Sequence, residues 1–384
     1  MLMKMIFSLS LLCCSLVAHA TWSVVFYDSE TQEVGVGSAT CISNAQIAGF
    51  DLLPVLAVVV AGEGGGAAQS AQDINGTRRQ TIAQGIINGL SASAIRDQLI
   101  QLPGTGSHQH GIAGAGMSSA THTGANTFPH ASGVEASIGN LHYAIQGNIL
   151  TGQPVVTMAE QALLNTPGDL PTKLMAAMEA ARDFGGDGRC SCPGPDATAC
   201  GSPPASFDKS AHVGFMILSR FGDSDGAPCS AGGCANGDYY LRLNVADQAP
   251  SDPDPVDTLR TQFDAFQSAL ENRPDAIQSS VSFTANASGT LLQLTLFDWR
   301  GIALGAAVNQ VDIAHSADSA MQSTIGTVID NGDGSYQVQL NHDGFGADDD
   351  RFLITIDDGI RSVVIPPNRA TLTFPTLFAD SFES

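Results

Sequence analysis

The chain has 384 residues, of which 43% are hydrophobic and 6% aromatic, and its formal net charge is −22. This length is typical of about two domains, and the apolar content is sufficient for buried cores. A surface this acidic repels nucleic acid and anionic lipid, so we expect neither as a partner.

The first twenty residues have the three parts of a secretory signal peptide. Lys4 is the positive n-region, the stretch 6–17 is apolar, and Ala18-His19-Ala20 is a small-x-small cleavage site. We therefore predict a signal peptide over 1–20, cleavage after Ala20 and a secreted protein, extracellular or periplasmic, that begins at Thr21. The alternative is an uncleaved N-terminal anchor. No later segment is long and apolar enough for a membrane helix, so we expect no membrane span.

The first part of the mature chain is predicted to contain a hairpin, a buried strand and two helices. Alternation over 21–40, with a turn at 28–32, predicts the β-hairpin. The continuous apolar run 53–61 predicts a strand buried on both faces. Apolar residues at helical spacing then predict two helices, the second capped by Ser91. Their apolar positions are Ile82, Ile86, Leu90, Ile95, Leu99 and Leu102.

The next part repeats this order of strands followed by helices. We predict strands at 111–123, 141–149, 213–219 and 239–245, and helices at 158–164, 171–184 and 256–270. Because strands and helices are segregated and regular βαβ alternation is absent, the pattern indicates a layered α+β domain over 21–270.

From Asp275 onwards the sequence has short alternating segments about ten residues apart, with turns such as Asn331-Gly332 between them. This spacing predicts an all-β sandwich over 275–375, followed by a flexible tail at 376–384. The acidic segment 330–334 lacks the spacing and closing Glu of a calcium loop, so we interpret it as a hairpin turn.

Six cysteines remain after the predicted cleavage, and an even number outside the cytoplasm favours disulfides. A zinc site is the alternative, but the Cys-x-Cys and Cys-x4-Cys spacings do not match the usual paired motif. Six cysteines permit fifteen pairings, and among local pairs we expect Cys229–Cys234. The disulfide candidates are Cys41, Cys190, Cys192, Cys200, Cys229 and Cys234.

Thr21 has a chemical property that only an N-terminal residue can have. A threonine hydroxyl needs an adjacent base to become a nucleophile, and a free α-amino group on the same residue can serve as that base. The predicted cleavage would expose this amine at the start of an amphipathic strand. We therefore single out Thr21 as a candidate nucleophile.

Several short motifs between Thr21 and about Leu259 together carry a resemblance. They are Thr21–Val25, Glu33–Cys41, Tyr143–Leu150, Phe184–Asp187, Lys209–Ala211 and Asp252–Val256. These motifs resemble those of the DUF1028 family, which is grouped with the N-terminal nucleophile (Ntn) hydrolases. The resemblance implies a four-layer αββα sandwich and a hydrolase of amide bonds, with Thr21 as nucleophile and base and a small amide or peptide-like substrate. The chain departs from the family in a cysteine-rich insertion between Gly188 and Ser206.

An Ntn site also needs hydrogen-bond donors for the oxyanion of the tetrahedral intermediate. Asn148, near the end of a predicted strand, is our candidate donor, although it could instead bond its own loop. Asp187 is a candidate for orienting the Thr21 ammonium or a partner, with a turn role as the alternative. Ser38 and Thr40 lie on the second hairpin strand and are candidates to face Thr21, or are structural.

Two further patterns are not interpreted as sites. The glycine-rich segment 62–66 lacks the Gly-Lys-Ser/Thr ending of a phosphate loop. The histidines do not form a metal motif on a helix, and we interpret them as solvated or hydrogen-bonded; they are His108, His110, His122, His130 and His142. We expect no cofactor and no metal.

In the C-terminal block the segment Leu294–Asp298, Gly301, Gly305-Ala306 and the hairpin Gly326–Val338 form a recognisable pattern. With them the block, from about Ser279 to Phe374, resembles the bacterial immunoglobulin-like repeats of surface adhesins of the invasin type. This resemblance implies a spacer or binding module, with cell-surface or polysaccharide contact as its role. Two functions stay open. The chain is either a secreted Ntn-type hydrolase of unknown substrate or a non-catalytic binding protein on an Ntn-like scaffold. A homo-oligomer is compatible with both.

Overall fold

The computed structural model describes residues 21–43, 51–246, 248–249, 251–305, 309–320, 323–342 and 349–373. The predicted signal peptide, 1–20, and the predicted tail, 376–384, lie outside the described residues. The described part is a mixed α/β structure with several antiparallel sheets and few helices.

The largest sheet, sheet 1, has six antiparallel strands in the order β10-β9-β2-β1-β8-β7. The predicted hairpin is formed by β1 and β2, and β1 lies between β2 and β8 in the middle of the sheet. The strand β7 was not predicted. The strands of sheet 1 are β1 Thr21–Asp28, β2 Val34–Thr40, β7 Ser132–Ile138, β8 Leu141–Asn148, β9 Val213–Ser219 and β10 Leu241–Val245.

The second sheet, sheet 2, has four strands in the order β3-β4-β5-β6. They are β3 Ala57–Val60, β4 Gly64–Ser70, β5 His108–Ala113 and β6 Ser119–Thr123. The prediction of a strand over 53–61 was wrong in its first half, where the helix α1, Leu52–Leu56, precedes β3. Pro54 has no N–H for a strand ladder, whereas the first turn of a helix does not need that donor.

The predicted strand 111–123 is also two strands, because the chain reverses between β5 and β6. Gly114 and Gly116 form the reversal with φ values of 96° and 55°, which residues with a Cβ rarely adopt. The two strands then pair with each other, with Ile112 opposite Ala120. Alternation continued through the turn, so the sequence pattern alone did not indicate it.

Six further helices surround the two sheets. They are α2 Thr77–Ile87, α3 Ala92–Ile100, α4 Pro154–Asn165, α5 Leu170–Asp183, α6 Gly188–Ser191 and α7 Pro255–Ala269. The side chains of Ser91 and Asp169 cap α3 and α5 by accepting hydrogen bonds from backbone N–H groups in the first turn. In the described chain, none of the helices combines the length and the apolar character needed to cross a bilayer.

Three apolar cores define how these elements stack. One face of sheet 1 packs against α4, α5 and α7, with Phe26 and Phe263 among the buried residues. The other face contributes Val25 and Val36 to a core shared with sheet 2 and α1. The far face of sheet 2 packs against α2 and α3, with Ile82 at the contact. The two sheets therefore face each other, and helices cover their outer sides.

Residues 276–372 contribute to a separate apolar core. One sheet has the order β11-β12-β16-β14, with β15 also paired to β16, and the other has β13-β17-β18, with β19 paired to β17. The strands are β11 Ser280–Asn286, β12 Gly289–Thr295, β13 Gln310–His315, β14 Thr324–Ile325, β15 Ile329–Asp330, β16 Ser335–Asn341, β17 Asp350–Asp357, β18 Ser362–Ile365 and β19 Thr371–Leu372.

A buried ion cluster joins this C-terminal part to sheet 1. Arg220, directly after β9, donates through Nε to Glu33 at 2.9 Å and through Nη1 to Asp275 at 2.7 Å. All three residues are at most 4% exposed. The guanidinium carbon of Arg220 also lies 3.5 Å from the ring centroid of Tyr240, and that of Arg361 lies 4.2 Å from the same centroid. Residues on both sides of the predicted domain boundary thus form one contact network.

All six candidate cysteines form disulfides, which confirms that prediction. The pairs are Cys41–Cys190, Cys192–Cys200 and Cys229–Cys234. The first pair links the end of β2 to α6 across 149 residues, and the other two close short loops. Three disulfides are typical of a protein that resides in an oxidising compartment.

Candidate active site around Thr21

Thr21 is the first residue of the central strand β1 and lies at the end of the space between the two sheets. It is 3% exposed. Its side chain points towards sheet 2, because residues 23 and 25 on the same face contact that sheet. Its carbonyl oxygen accepts a hydrogen bond from Gln69 Nε2 at 2.9 Å. Thr21, the predicted first residue of the mature chain, is thus buried and lies within a β-strand.

Three glutamine side chains from both sheets form a hydrogen-bonded network beside Thr21. Gln69 Nε2 donates to Gln109 Oε1 at 2.9 Å, and Gln109 Nε2 donates to the carbonyl oxygen of Gly147 at 3.0 Å. Ser23 Oγ donates to Gln69 Oε1 at 2.6 Å and accepts from Gln146 Nε2. Because each amide in this chain positions the next, the network fixes the backbone of β1 and β8 next to Thr21.

The close approach of the sheets at this network requires a glycine. A Cβ at Gly111 on β5 would lie 2.1 Å from Gln146 Oε1, far inside van der Waals contact. Gly111 therefore leaves the space that the Gln146 amide occupies.

Asn148, the candidate oxyanion donor, is directly opposite Thr21 in the pairing of β1 with β8. Directly opposed residues in antiparallel strands share a face of the sheet and have Cβ atoms about 5 Å apart. Asn148 is fully buried, and its Nδ2 donates to Ser70 Oγ of β4 at 3.2 Å. Its amide therefore lies in the same space between the sheets as the Thr21 side chain.

A second set of polar side chains reaches Thr21 from β2 and α6. Thr21 Oγ1 donates to Thr40 Oγ1 at 3.3 Å, and Arg189 Nη2 lies 3.4 Å from the same Thr40 oxygen. Arg189 forms a two-point ion pair with Asp187, with Nη2–Oδ2 at 2.6 Å and Nε–Oδ1 at 3.1 Å. Asp187 also accepts from the backbone N–H of Cys41 at 2.7 Å.

These contacts agree with one of the two roles given above for Asp187, orienting a partner, and with the structural alternative for Ser38. Asp187 caps α6 and pairs with Arg189, whose guanidinium contacts Thr40, and Thr40 in turn accepts a hydrogen bond from the Thr21 hydroxyl. Ser38 donates to the carbonyl oxygen of Trp22 at 2.7 Å. Thr40, two residues further along β2, is the strand residue that contacts the Thr21 hydroxyl.

Arg189, Gln69 and Gln109 are site residues that the sequence analysis did not identify. Arg189 follows the Gly-Gly-Asp motif by two residues, so an arginine beside a motif aspartate was the available signal. The glutamines lie on strands of a different sheet, and their distance in sequence from Thr21 gave no indication of contact. Only the stacking of the two sheets brings them together.

Two cavities border the site. A small cavity of about 30 Å³ is lined by Thr21 with Gln69 and Ser70 and by apolar side chains that include Ile42 and Leu56. A larger cavity of about 430 Å³ has Arg189 and His212 in its wall. Thr21 therefore borders the small cavity, and Arg189, which contacts Thr40, borders the larger one.

The histidines of β5 and β6 form a stacked group on the helix-facing side of sheet 2. The ring centroid of His110 lies 6.1 Å from that of His108 and 5.7 Å from that of His122. His108 and His122 have hydrogen-bond partners. His110 is fully buried, and neither ring nitrogen has a partner among the described residues, so the expectation of a solvated or hydrogen-bonded ring was wrong for this residue.

Within the described ranges, one trio of metal-ligand types has its ligand atoms within 4.8 Å of one another, namely Cys41, Cys190 and His212. The two sulfur atoms are bonded to each other in a disulfide, so they are not thiolate ligands.

We expect the stability of the protein to fall below about pH 6.5 and His110→Leu to reduce that fall. Burial lowers the pKa of His110 well below its ordinary value, and the charges of Arg78, His108 and His122 act in the same direction. The unfolded state therefore binds a proton in this range that the folded state does not, which costs up to about 1.4 kcal/mol per pH unit.

Urea unfolding at pH 7.5, 6.5 and 5.5 would measure this slope. His130→Asn is the matched control, because His130 is exposed and its φ of 50° suits asparagine. An identical slope in His110→Leu and the unchanged protein would contradict the expectation.

Comparison with known families gives one match. Residues 21–193 match the model described as "Family of unknown function (DUF1028)". This confirms the resemblance found in the sequence for that part of the chain. No curated protein matches the chain.

Three solved structures are similar to the chain at low identity. Protein SPO2555 from Silicibacter pomeroyi, a DUF1028 structure, is 16% identical, with a TM-score of 0.43 over 64% of this chain and 88% of that one. InvD from Yersinia pseudotuberculosis is 10% identical, with a TM-score of 0.18 over 67% and 51% of the two chains. Invasin, a bacterial integrin-binding protein, is 8% identical, with a TM-score of 0.19 over 93% and 60%. All three TM-scores are below 0.5, so the family match depends on sequence alone.

Proposed function

We propose, from the DUF1028 match of residues 21–193 and the contacts of Thr21, that this protein is a secreted Ntn-type hydrolase of amide bonds. Signal-peptide removal after Ala20 gives Thr21 its free amine. The single observation that carries the proposal is the location of Thr21, which begins a central strand inside a polar network between two facing sheets.

The stacking of the elements supports the four-layer assignment. Helices α4, α5 and α7 cover sheet 1, sheet 1 faces sheet 2, and α2 and α3 cover sheet 2. In the proposed αββα sandwich, the nucleophile of an Ntn hydrolase begins a strand of one central sheet. Thr21 has this position at the start of β1.

The proposed reaction has two steps with Thr21 in both. The hydroxyl oxygen of Thr21 attacks the amide carbonyl carbon, and the hydroxyl proton moves to the α-amine. The C–N bond then breaks, the α-amine returns this proton to the leaving nitrogen, and an ester with Thr21 forms. Water attacks the ester with the amine again as base, which releases the acid and restores the Thr21 hydroxyl.

The proposed role of Asn148 is to donate a hydrogen bond from Nδ2 to the oxyanion of each tetrahedral intermediate. Its register opposite Thr21 and its burial support this role. Asp187 and Arg189 are positioning residues in the proposal, since their ion pair holds the guanidinium beside Thr40.

The proposed organisation has a hydrolase domain over 21–270 and an immunoglobulin-like β-sandwich over 275–375. The separate apolar core of residues 276–372 supports a second unit. In the proposal this unit is a spacer or a cell-surface or polysaccharide-binding module and contributes no catalytic residue.

The position of the mature N-terminus tests the proposal. Mass spectrometry of the exported protein is expected to give a chain that starts at Thr21. Two purified forms, one starting at Thr21 and one with a single alanine before it, are then compared against acyl-amide and peptide libraries. We expect hydrolysis by the first form alone, because the additional residue converts the basic amine into an amide.

A different N-terminus would remove the proposed base and overturn the mechanism. Equal activity of the two forms would do the same. If neither form hydrolyses any amide in the libraries, the non-catalytic binding protein becomes the better description of this chain.

Asn148→Ala is expected to lower kcat by roughly a hundredfold or more, because one oxyanion donor is lost. Ser38→Ala is the matched control on β2, which pairs with β1 on the side opposite to β8. Its hydroxyl bonds the carbonyl oxygen of Trp22, so we expect a loss of about 1 kcal/mol of stability with kcat changed less than about threefold. Steady-state kinetics and urea unfolding of both variants measure these effects. Equal loss of kcat in the two variants would exclude a specific role for Asn148.

A further inference from the structure

The cavity of about 430 Å³ is bordered by α6 and by the chain before β9. Arg189, Phe207, Asp208, Lys209 and His212 are among the residues that line it. Part of its wall comes from Cys190 and Cys192, which the disulfides anchor to β2 and to Cys200. The cavity is therefore formed by the beginning of the cysteine-rich segment, residues 189–193, and by residues 206–212, which precede β9.

Arg189 connects this cavity to the nucleophile. It lines the cavity, and its Nη2 lies 3.4 Å from Thr40 Oγ1, which accepts from Thr21 Oγ1 at 3.3 Å. Two consecutive contacts thus separate the guanidinium from the Thr21 hydroxyl. A ligand that contacts Arg189 in this cavity would therefore be two side-chain contacts away from the Thr21 hydroxyl, although the cavity at Thr21 is a separate space.

The wall of the cavity contains two cationic residues, Arg189 and Lys209, and one acidic residue, Asp208, in a protein whose formal net charge is −22. Lys209 is only 8% exposed, and its Nζ donates to the carbonyl oxygen of Ala249 at 3.0 Å. Among the described residues no carboxylate forms an ion pair with this ammonium group. A nearly buried ammonium group that no described carboxylate pairs with is costly, and an anionic ligand at this position would offset that cost.

The remaining charges favour a ligand with one negative charge. The ion pair with Asp187 already balances Arg189, and Asp208 is exposed, so water screens its charge. Burial, followed by the charge of Lys209, lowers the pKa of His212, so its ring is neutral at pH 7 and offers a hydrogen bond. One unbalanced ammonium matches a carboxylate better than a phosphate dianion, which the nearby Asp187 would repel.

We propose that this cavity binds a carboxylate of the substrate through Lys209 and Arg189, so that the substrates are amides with a free carboxylate close to the scissile bond. This inference rests on the proposed function, because it takes Thr21 as the nucleophile. Phe207 supplies an apolar surface for a side chain, and the small apolar cavity at Thr21 limits the acyl group to a short one such as acetyl.

Binding to a protein that cannot turn over separates this inference from catalysis. The probes are N-acetyl-L-phenylalanine, its carboxamide N-acetyl-L-phenylalaninamide and inorganic phosphate, titrated by calorimetry into the mature Thr21→Ala protein. We expect the acid to bind at least tenfold more tightly than the carboxamide and more tightly than phosphate. This preference should weaken as the salt concentration rises.

Variants of the cavity test the residues. Lys209→Met is expected to remove the preference for the acid, and Lys209→Arg, which keeps the charge, should retain most of it. Lys173→Met is the matched control, because Lys173 is on α5 and does not line the cavity. A cooperative thermal unfolding transition establishes that each variant is folded. If Lys209→Met does not fold, the affinities of Lys209→Arg for the acid and the carboxamide are compared with those of the protein that retains Lys209.

Equal affinity for the acid and the carboxamide, no binding of either, tighter binding of phosphate, or a preference that persists in Lys209→Met would each overturn the inference. The proposed function is tested separately, by measuring amide hydrolysis with the protein that retains Thr21. If that protein hydrolyses amides without any preference for a carboxylate, only the inference fails. If it hydrolyses nothing while the acid still binds preferentially, only the proposed function fails.

Discussion

The mature protein with Thr21→Ala is expected to hydrolyse no amide at a measurable rate, a loss of at least about 10⁴-fold in kcat, because the attacking oxygen is absent. Thr21→Ser should retain activity within about a hundredfold, since both the hydroxyl and the α-amine remain. Steady-state rates on the best substrate from the amide libraries measure both values.

The stability of the Thr21→Ala protein must be measured together with its activity, because an unfolded variant would also be inactive. The Thr21 hydroxyl makes a hydrogen bond of 3.3 Å to Thr40, so its removal is expected to cost about 1 kcal/mol and to leave the fold intact. A folded Thr21→Ala protein that still hydrolyses the substrate would assign the nucleophile to another residue. An unfolded one would be replaced in the comparison by Thr21→Val, which keeps the branched shape.

Arg220→Met is expected to lower the free energy of unfolding by about 3–5 kcal/mol, because it leaves two buried carboxylates without a cation. Arg220 bonds Glu33 and Asp275, which are 1% and 3% exposed. Burial raises the pKa of Glu33 more than Arg220 lowers it. Burial also acts to raise the pKa of Asp275, but Arg220 and the N–H groups of Gln278 and Ile277 outweigh it and hold that pKa below its usual value.

Urea unfolding of Arg220→Met beside a matched surface variant measures this effect. Arg96→Met is the control, because Arg96 pairs with the adjacent Asp97 at the exposed surface of α3 and should change stability by less than about 1 kcal/mol. Adding Glu33→Gln and Asp275→Asn to Arg220→Met should restore part of the loss by removing the unpaired charges. Similar stabilities of the Arg220 and Arg96 variants would show that the cluster contributes little.

The same cluster indicates where a shortened chain should end. A fragment that stops at Leu270, the predicted end of the first domain, lacks Asp275 and leaves Arg220 with one of its two carboxylates. Asp275 also accepts from the N–H groups of Ile277 and Gln278, so residues up to 278 belong to this contact. A fragment of 21–278 keeps the cluster complete and is the better choice for isolating the Thr21 site.

The sequence was sufficient to predict elements whose patterns are local. The hairpin of β1 and β2 follows from alternation around a turn, and the start of α3 follows from Ser91, whose oxygen accepts from the N–H of Ala94. It was insufficient where one pattern fits two structures. The apolar run after Asp51 suits a buried strand or a short buried helix, and packing against β9 and β4 selects a helix for its first half.

The residues of the candidate site likewise fall into those that the sequence indicates and those that only the folded structure reveals. Thr21 and Asn148 could be chosen as candidates because a predicted cleavage motif and a strand end are visible in the sequence. Gln69 and Arg189 were missed because their relevance depends on which strands and loops meet in three dimensions. Lys209 lies in a motif that matched the family resemblance, but the absence of a counter-ion among the described residues becomes apparent only from its surroundings.

The pairing of the cysteines has a consequence for the order of oxidation after the chain enters an oxidising compartment. If the chain enters from its N-terminus, Cys41 arrives 149 residues before its partner Cys190, whereas Cys192–Cys200 and Cys229–Cys234 span 8 and 5 residues and can close as soon as they enter. Until β2 and α6 come together, Cys41 is a thiol without its native partner, and the nearest cysteine to Cys190 is Cys192. Efficient maturation therefore favours a compartment that contains a disulfide isomerase as well as an oxidant, because an early incorrect bond must be exchanged through thiolate attack.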